Sequence, residues 1–220
     1  MKLTICLFLS IVFCSYAEAQ TSANVPETDN QFWNETQFVV WSNEKNESAV
    51  NVFYRAGREG LRTTDARIGF SHTHKPSKYL FLTGGYLYRY GEPVRNRKNY
   101  ESRFIGAATI NLPLKYKFKL VDRNQFEYKM RNSRRDTWDY RNRLRIGREI
   151  TVKGKKITPF AFTEVFYYER DKWYRARYAI GLNKKFTEKF TGEIFYLRQN
   201  DGVNKPGDFN VLGTYFKIHL

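Results

Sequence analysis

The stretch Tyr79-Leu80-Phe81-Leu82-Thr83-Gly84-Gly85-Tyr86-Leu87-Tyr88-Arg89-Tyr90 alternates with a period of two. Leu80, Leu82, Gly84, Tyr86, Tyr88 and Tyr90 share one face of an extended chain, and Phe81, Thr83, Gly85, Leu87 and Arg89 share the other, because successive side chains of a β-strand point to opposite sides. Tyr174 to Asn183 repeats the pattern, with Tyr174, Ala176, Tyr178, Ile180 and Leu182 opposed by Arg175, Arg177, Ala179, Gly181 and Asn183. One face is apolar and the other is small or charged. Similar runs lie at 32–41, 49–57, 64–72, 100–110, 117–130, 139–151, 157–168, 189–199 and 208–220. Turn-forming or charged residues separate them, and no helical stripe competes. The reading is one domain, an all-β meander of hairpins.

A sheet of this many strands must fold onto a second sheet or close on itself, because open edges recruit other chains. The face pattern selects closure in a membrane. Charges fall on the faces opposite the apolar ones, at Arg67, Arg89, Glu101, Arg103, Glu127, Arg141, Arg143, Arg145, Glu149, Glu164, Arg175, Arg177 and Glu193, and the runs are about as long as a strand that crosses the hydrocarbon. Aromatics gather near the run ends, as Trp33 and Trp41, Tyr88 and Tyr90, Trp138 and Tyr140, Tyr167 and Tyr168, and Trp173 and Tyr174, where interfacial girdles belong. The expected fold is a single antiparallel up-and-down transmembrane β-barrel of 10 to 12 strands. Eleven runs are readable, and an even number is expected of a bacterial barrel with both termini on one side. Discarding the run at 49–57 leaves ten; splitting 117–130 at Val121-Asp122-Arg123-Asn124 makes twelve.

Composition agrees with this class. The chain has 220 residues and a formal net charge of +16, and a mean hydropathy of −0.65 excludes a bundle of membrane helices. Met1-Lys2, the apolar stretch Leu3 to Tyr16 and Ala17-Glu18-Ala19 have the form of an export signal. The expected division is a signal peptide at 1–19, an N-terminal tail at 20–30 and an outer-membrane barrel at 31–220. Cleavage removes Cys6 and Cys14, so the exported chain has no thiol for a disulfide or metal site. The terminal run Leu212, Thr214, Phe216, Ile218 and Leu220 resembles the strand that the barrel-insertion machinery recognises, although Leu220 replaces the usual terminal aromatic.

The order of features from Trp33 to Leu220 resembles a family of bacterial outer-membrane β-barrels, domain of unknown function 2490. The residues that carry the resemblance are Trp33, Tyr86-Leu87-Tyr88-Arg89-Tyr90, Glu101-Ser102-Arg103, Arg141-Asn142-Arg143-Leu144-Arg145, Phe162-Thr163-Glu164-Val165-Phe166, Arg175-Ala176-Arg177 before Gly181-Leu182, and Gly192-Glu193-Ile194-Phe195-Tyr196. The resemblance implies a barrel in the cell outer membrane and supplies no reaction or ligand.

The chemistry-bearing residues are mainly arginines and glutamates. Arg67, Arg89, Glu101, Arg103, Arg141, Arg143, Arg145, Glu149, Glu164, Arg175, Arg177 and Glu193 form a candidate lumen charge network, because like charges two apart on a strand need partners in a partly dry interior. Such a lumen serves as structural filling, a narrow anion-preferring pore or a small-ligand site. Loss of the Glu164 charge is expected to cost about 1 to 3 kcal/mol. The basic loop residues Arg95, Arg97, Lys98, Arg131, Arg134, Arg135, Arg170 and Lys172 suit lipopolysaccharide phosphates. The expected partners are outer-membrane lipid, lipopolysaccharide and the insertion machinery; export argues against nucleic acid, despite a pI near 9.8.

Two alternatives stay open: a lipid-modifying hydrolase and a soluble periplasmic carrier of the lipocalin kind. For the hydrolase, Ser71 and His72 stand beside a turn with Asp65 near, but consecutive strand residues point to opposite faces, which is poor geometry for proton transfer. His72 and His74 share a face, with no Cys or acidic cluster nearby to complete a metal site. No cofactor is expected, and a non-enzymatic role leads.

Overall fold

The computed structural model describes residues 28–220 apart from 59–61, 95–96, 133, 171 and 205. The expected signal peptide, and most of the tail after it, lie outside the described residues. The strands are β1 (Thr28–Ser42), β2 (Asn46–Gly57), β3 (Arg62–His74), β4 (Leu80–Val94), β5 (Arg97–Pro113), β6 (Phe118–Arg131), β7 (Thr137–Arg148), β8 (Ile150–Val152), β9 (Lys155–Tyr168), β10 (Lys172–Lys185), β11 (Phe190–Asp201) and β12 (Asp208–His219). Each pairs antiparallel with its neighbour in sequence, except that β7 pairs with β9 and the short β8 folds onto the start of β9. The β8–β9 turn is Lys153-Gly154, both with positive φ (47° and 73°), the mirror-image geometry that matches strand twist in a two-residue hairpin.

Eleven strands therefore form the wall. They close where β1 lies parallel to β12, in register from Thr28 beside Asp208 to Val39 beside His219. The even count expected from sequence is corrected by this seam: the run at 49–57 is a full strand, and 117–130 is unbroken. An odd number of strands puts the start of β1 and the end of β12 at opposite mouths. One mouth, the C-terminal rim, carries the turns after β1, β3, β5, β7 and β10. The other, the loop rim, carries the connections after β2, β4, β6, β9 and β11 together with Thr28.

Polarity is reversed relative to a soluble barrel. Ile180, Phe126 and Ile68 are 65%, 58% and 56% exposed on the outer surface, whereas Arg177 is 5% and Glu164 2% exposed inside. A soluble lipocalin-like carrier needs the opposite arrangement, which corrects that alternative. Rings facing outward near the loop rim pack together: Trp138 stacks on Tyr167 at 5.7 Å, and Tyr167 meets Trp173 edge to face at 5.3 Å. Three aromatics expected in the girdle face the lumen instead. Trp33 is buried with Ala179, Leu197 and Val211, against Phe162, Phe195 and Phe209, and Tyr168 and Tyr174 line an internal cavity.

Candidate functional site

Inward-facing charges of successive strands meet across the ladder and form a belt around the inside of the wall. It begins on β3, where Asp65 accepts from Arg67 Nε at 2.6 Å and pairs with Arg89 of β4. Arg89 Nη1 donates to Glu101 of β5 at 3.0 Å. Arg103, also on β5, holds Glu101 at 2.7 Å and reaches Glu127 of β6 at 3.1 Å. Arg141 of β7 pairs with Glu127 at 3.2 Å and with Glu164 of β9 at 3.8 Å. Glu164 also receives Arg143 Nε at 3.0 Å and Arg177 Nη1 of β10 at 3.1 Å. Arg177 Nε then donates to Gln199 of β11 at 2.8 Å.

The belt ends on an aromatic ring. Arg177 and Arg55 approach the Trp33 ring, with guanidinium carbons 4.9 Å and 3.7 Å from its centroid, a cation–π arrangement strengthened by desolvation. Trp33 Nε1 donates to Gln31 at 2.6 Å, and Gln31 Nε2 donates to Asp29 at 2.8 Å. Thus β1 and β2 join a chain of contacts that begins on β3 and runs through β11. Alternation of sign lets each carboxylate serve two or three guanidiniums, so few buried charges are left uncompensated.

Of the residues expected in the network, Arg67, Arg89, Glu101, Arg103, Arg141, Arg143, Glu164 and Arg177 meet in the belt. Arg145 and Glu193 form a separate two-bond pair at 3.1 and 2.8 Å, and Arg175 pairs with Asp201 at the loop rim. Glu149 is corrected: β7 ends at Arg148, and Glu149 pairs with Lys156 at 3.3 Å on the exposed hairpin outside the lumen. Sequence reasoning left out the neutral amides Gln31 and Gln199 and did not place Arg55, Asp65 or Trp33 in the lumen network. A signal existed for Asp65, which stands two residues before Arg67 and so shares its face.

Above the belt, toward the loop rim, the lumen widens into a cavity of about 1110 Å³. Its acidic lining residues are Asp29, Asp65, Glu101, Glu127, Asp139 and Glu169, and Lys and Arg outnumber them by more than two to one. Arg131, Arg134, Arg135 and Arg170 stand toward its mouth, and Arg55 lies deeper. Among the described residues no carboxylate oxygen lies within ion-pair distance of Arg55. At the belt side chains are closely packed: Gln125, Gln199 and Val211 are fully buried, and Glu164 nearly so.

The expected hydrolase grouping is split by the wall. Ser71 Oγ faces the lumen and accepts from Asn51 Nδ2 at 2.8 Å, Asp65 is held by two arginines, and His72 points outward to Ser48, 2.9 Å away. That corrects the pairing of Ser71 with His72. Among the described residues no group of three His, Cys, Asp or Glu side chains is placed to hold a metal ion.

Solved structures with a similar fold are outer-membrane barrels. The β domain of the Bordetella autotransporter BrkA superposes with a TM-score of 0.52 at 12% identity, over 81% of this chain and 85% of that one. LpxR from Salmonella typhimurium gives a TM-score of 0.52 at 8% identity, over 79% of this chain and 83% of that one. No curated protein matches the chain. A family described as protein of unknown function, DUF2490, matches residues 30–210. With that match spanning most of a chain that shares the fold of outer-membrane β-barrels, the protein belongs to the DUF2490 family.

Proposed function

We propose that the protein is exported by residues 1–19, resides in the outer membrane through its 31–220 barrel, and captures small anionic solutes in the vestibule at its loop rim. The observation that carries the reading is Arg55, a guanidinium deep in a cation-rich cavity, resting on Trp33 with no ion-pair carboxylate among the described residues. A low-dielectric wall focuses the field of such a cluster and raises the local concentration of anions. The packed belt below favours capture over free passage. Basic residues around the mouth suit the phosphates of lipopolysaccharide, which favours a loop rim on the outer side. The C-terminal strand then lies where the insertion machinery meets it.

Trp33, in contact with Arg55 of the cavity lining, reports on this vestibule. In a folded barrel that keeps Trp33 and carries Phe at positions 41, 138 and 173, iodide should quench the fluorescence several-fold more than caesium at constant ionic strength. Arg55→Gln should reduce the iodide effect. Equal quenching by the two ions, or stronger quenching by caesium, contradicts anion capture.

A further inference from the structure

The outer surface of the wall carries a different chemistry near the C-terminal rim. Ser48 of β2 and His72 of β3 are register partners, with Oγ and Nδ1 2.9 Å apart. The next pair outward, Asn46 and His74, is also joined at 2.9 Å. Trp41, opposite Ser48 on β1, lies over the His72 ring with an interplanar angle of 16°. On its other side His72 faces Gly84 of β4, which faces Gly106 of β5. A Cβ at either glycine would meet nothing within 4 Å, so the surface is notched there. The groove measures about 610 Å³, walled by Phe70, His72, His74, Leu82, Tyr86 and Phe104.

This surface belongs to the apolar exterior of a membrane barrel, so the occupant that suits the groove is an acyl chain of a membrane lipid. An acyl chain seated there lies against His72, whose imidazole is already hydrogen-bonded to the Ser48 hydroxyl, the pairing that activates a serine.

We propose that Ser48 and His72 form a lipid-facing site that hydrolyses acyl esters of membrane lipids. His72 takes the Ser48 hydroxyl proton as Oγ bonds to the ester carbonyl carbon. The carbonyl electron pair moves onto oxygen. Collapse breaks the bond to the alcohol, which leaves with the proton from His72. Water, losing a proton to His72, then attacks the acyl-serine; the Oγ–acyl bond breaks as His72 returns that proton to Oγ, releasing the fatty acid and free Ser48. The site lies on the other side of the wall from the vestibule and stands independently of anion capture.

The test uses the folded full barrel in mixed micelles of an ester-free detergent and diacylphosphatidylethanolamine, with folding of each variant verified by heat-dependent migration on gels. Fatty acid should be released, and a fluorophosphonate should label Ser48. Ser48→Ala should abolish labelling and lower release by about 100-fold or more; His72→Asn should lower both, and Ser71→Ala should change neither. Gly84→Leu, which fills the notch, should slow hydrolysis of long-chain esters more than short-chain ones. The proposal is overturned if the folded protein neither releases fatty acid nor takes the label, or if release survives Ser48→Ala. Equal loss on both chain lengths in Gly84→Leu would overturn the acyl groove.

Discussion

Replacing Glu164 with Gln should destabilise the folded barrel by about 3 to 5 kcal/mol, the usual cost of removing one partner from a buried ion pair. This exceeds the 1 to 3 kcal/mol expected from sequence, and the coordination explains why. Glu164 is 2% exposed and is shared by Arg141, Arg143 and Arg177. Gln keeps the shape and one acceptor but withdraws the charge from three guanidiniums, of which Arg177 is buried and Arg141 and Arg143 are partly exposed. Denaturant unfolding in lipid or detergent, followed by Trp fluorescence, measures the change as a lower midpoint. Removing Arg143 in the same chain should restore part of the loss, since the two sites share a contact and do not add independently. An unchanged midpoint for Glu164→Gln would contradict the role of this residue as the junction of the belt.

Gly69→Val should have a larger effect still, preventing the heat-modifiable folded form or costing more than about 4 kcal/mol. Gly69 sits on the inward face of β3 opposite Leu87 of β4. A Cβ there would stand 2.3 Å from the carbonyl oxygen of Tyr86 and 2.9 Å from Leu87 Cα. Both obstacles are backbone, so no rotamer change relieves the clash and the strands must part. Glycine inside a strand marks such a close approach. Gly84→Val offers the comparison: it is also a strand glycine, but it faces open space and should leave folding intact. Equal gel behaviour for the two variants would refute the strand packing described for β3 and β4.

Much of this architecture was legible in the alternation of the chain. All eleven runs fall on the eleven wall strands with shifts of a few residues at their ends, because the side-chain period of two survives wherever one face meets lipid. Parity was not legible. Whether β1 meets β12 parallel or antiparallel depends on a contact between the two ends of the barrel, and nothing local in either strand encodes it. Trp33 was misplaced by its position near a run end, although its neighbours at the same parity, Gln31 and Glu35, are polar and belong to an interior. Glu149 shares the parity of Arg145, but parity carries no meaning once β7 has ended and the chain turns into the β8–β9 hairpin. The partnership of Ser48 with His72 was hidden for a related reason: it depends on the register of β2 against β3, which shifts at a bulge between Arg55 and Ala56.

Quenching by lipids brominated along their acyl chains tests the reversed polarity most directly. Four barrels, each keeping one of Trp33, Trp41, Trp138 or Trp173, are folded into such vesicles. Strong quenching of Trp41, Trp138 and Trp173, with Trp33 little affected, is the predicted result. Quenching of Trp33 as deep as that of Trp138 would place it against lipid and contradict the charged interior on which the vestibule depends.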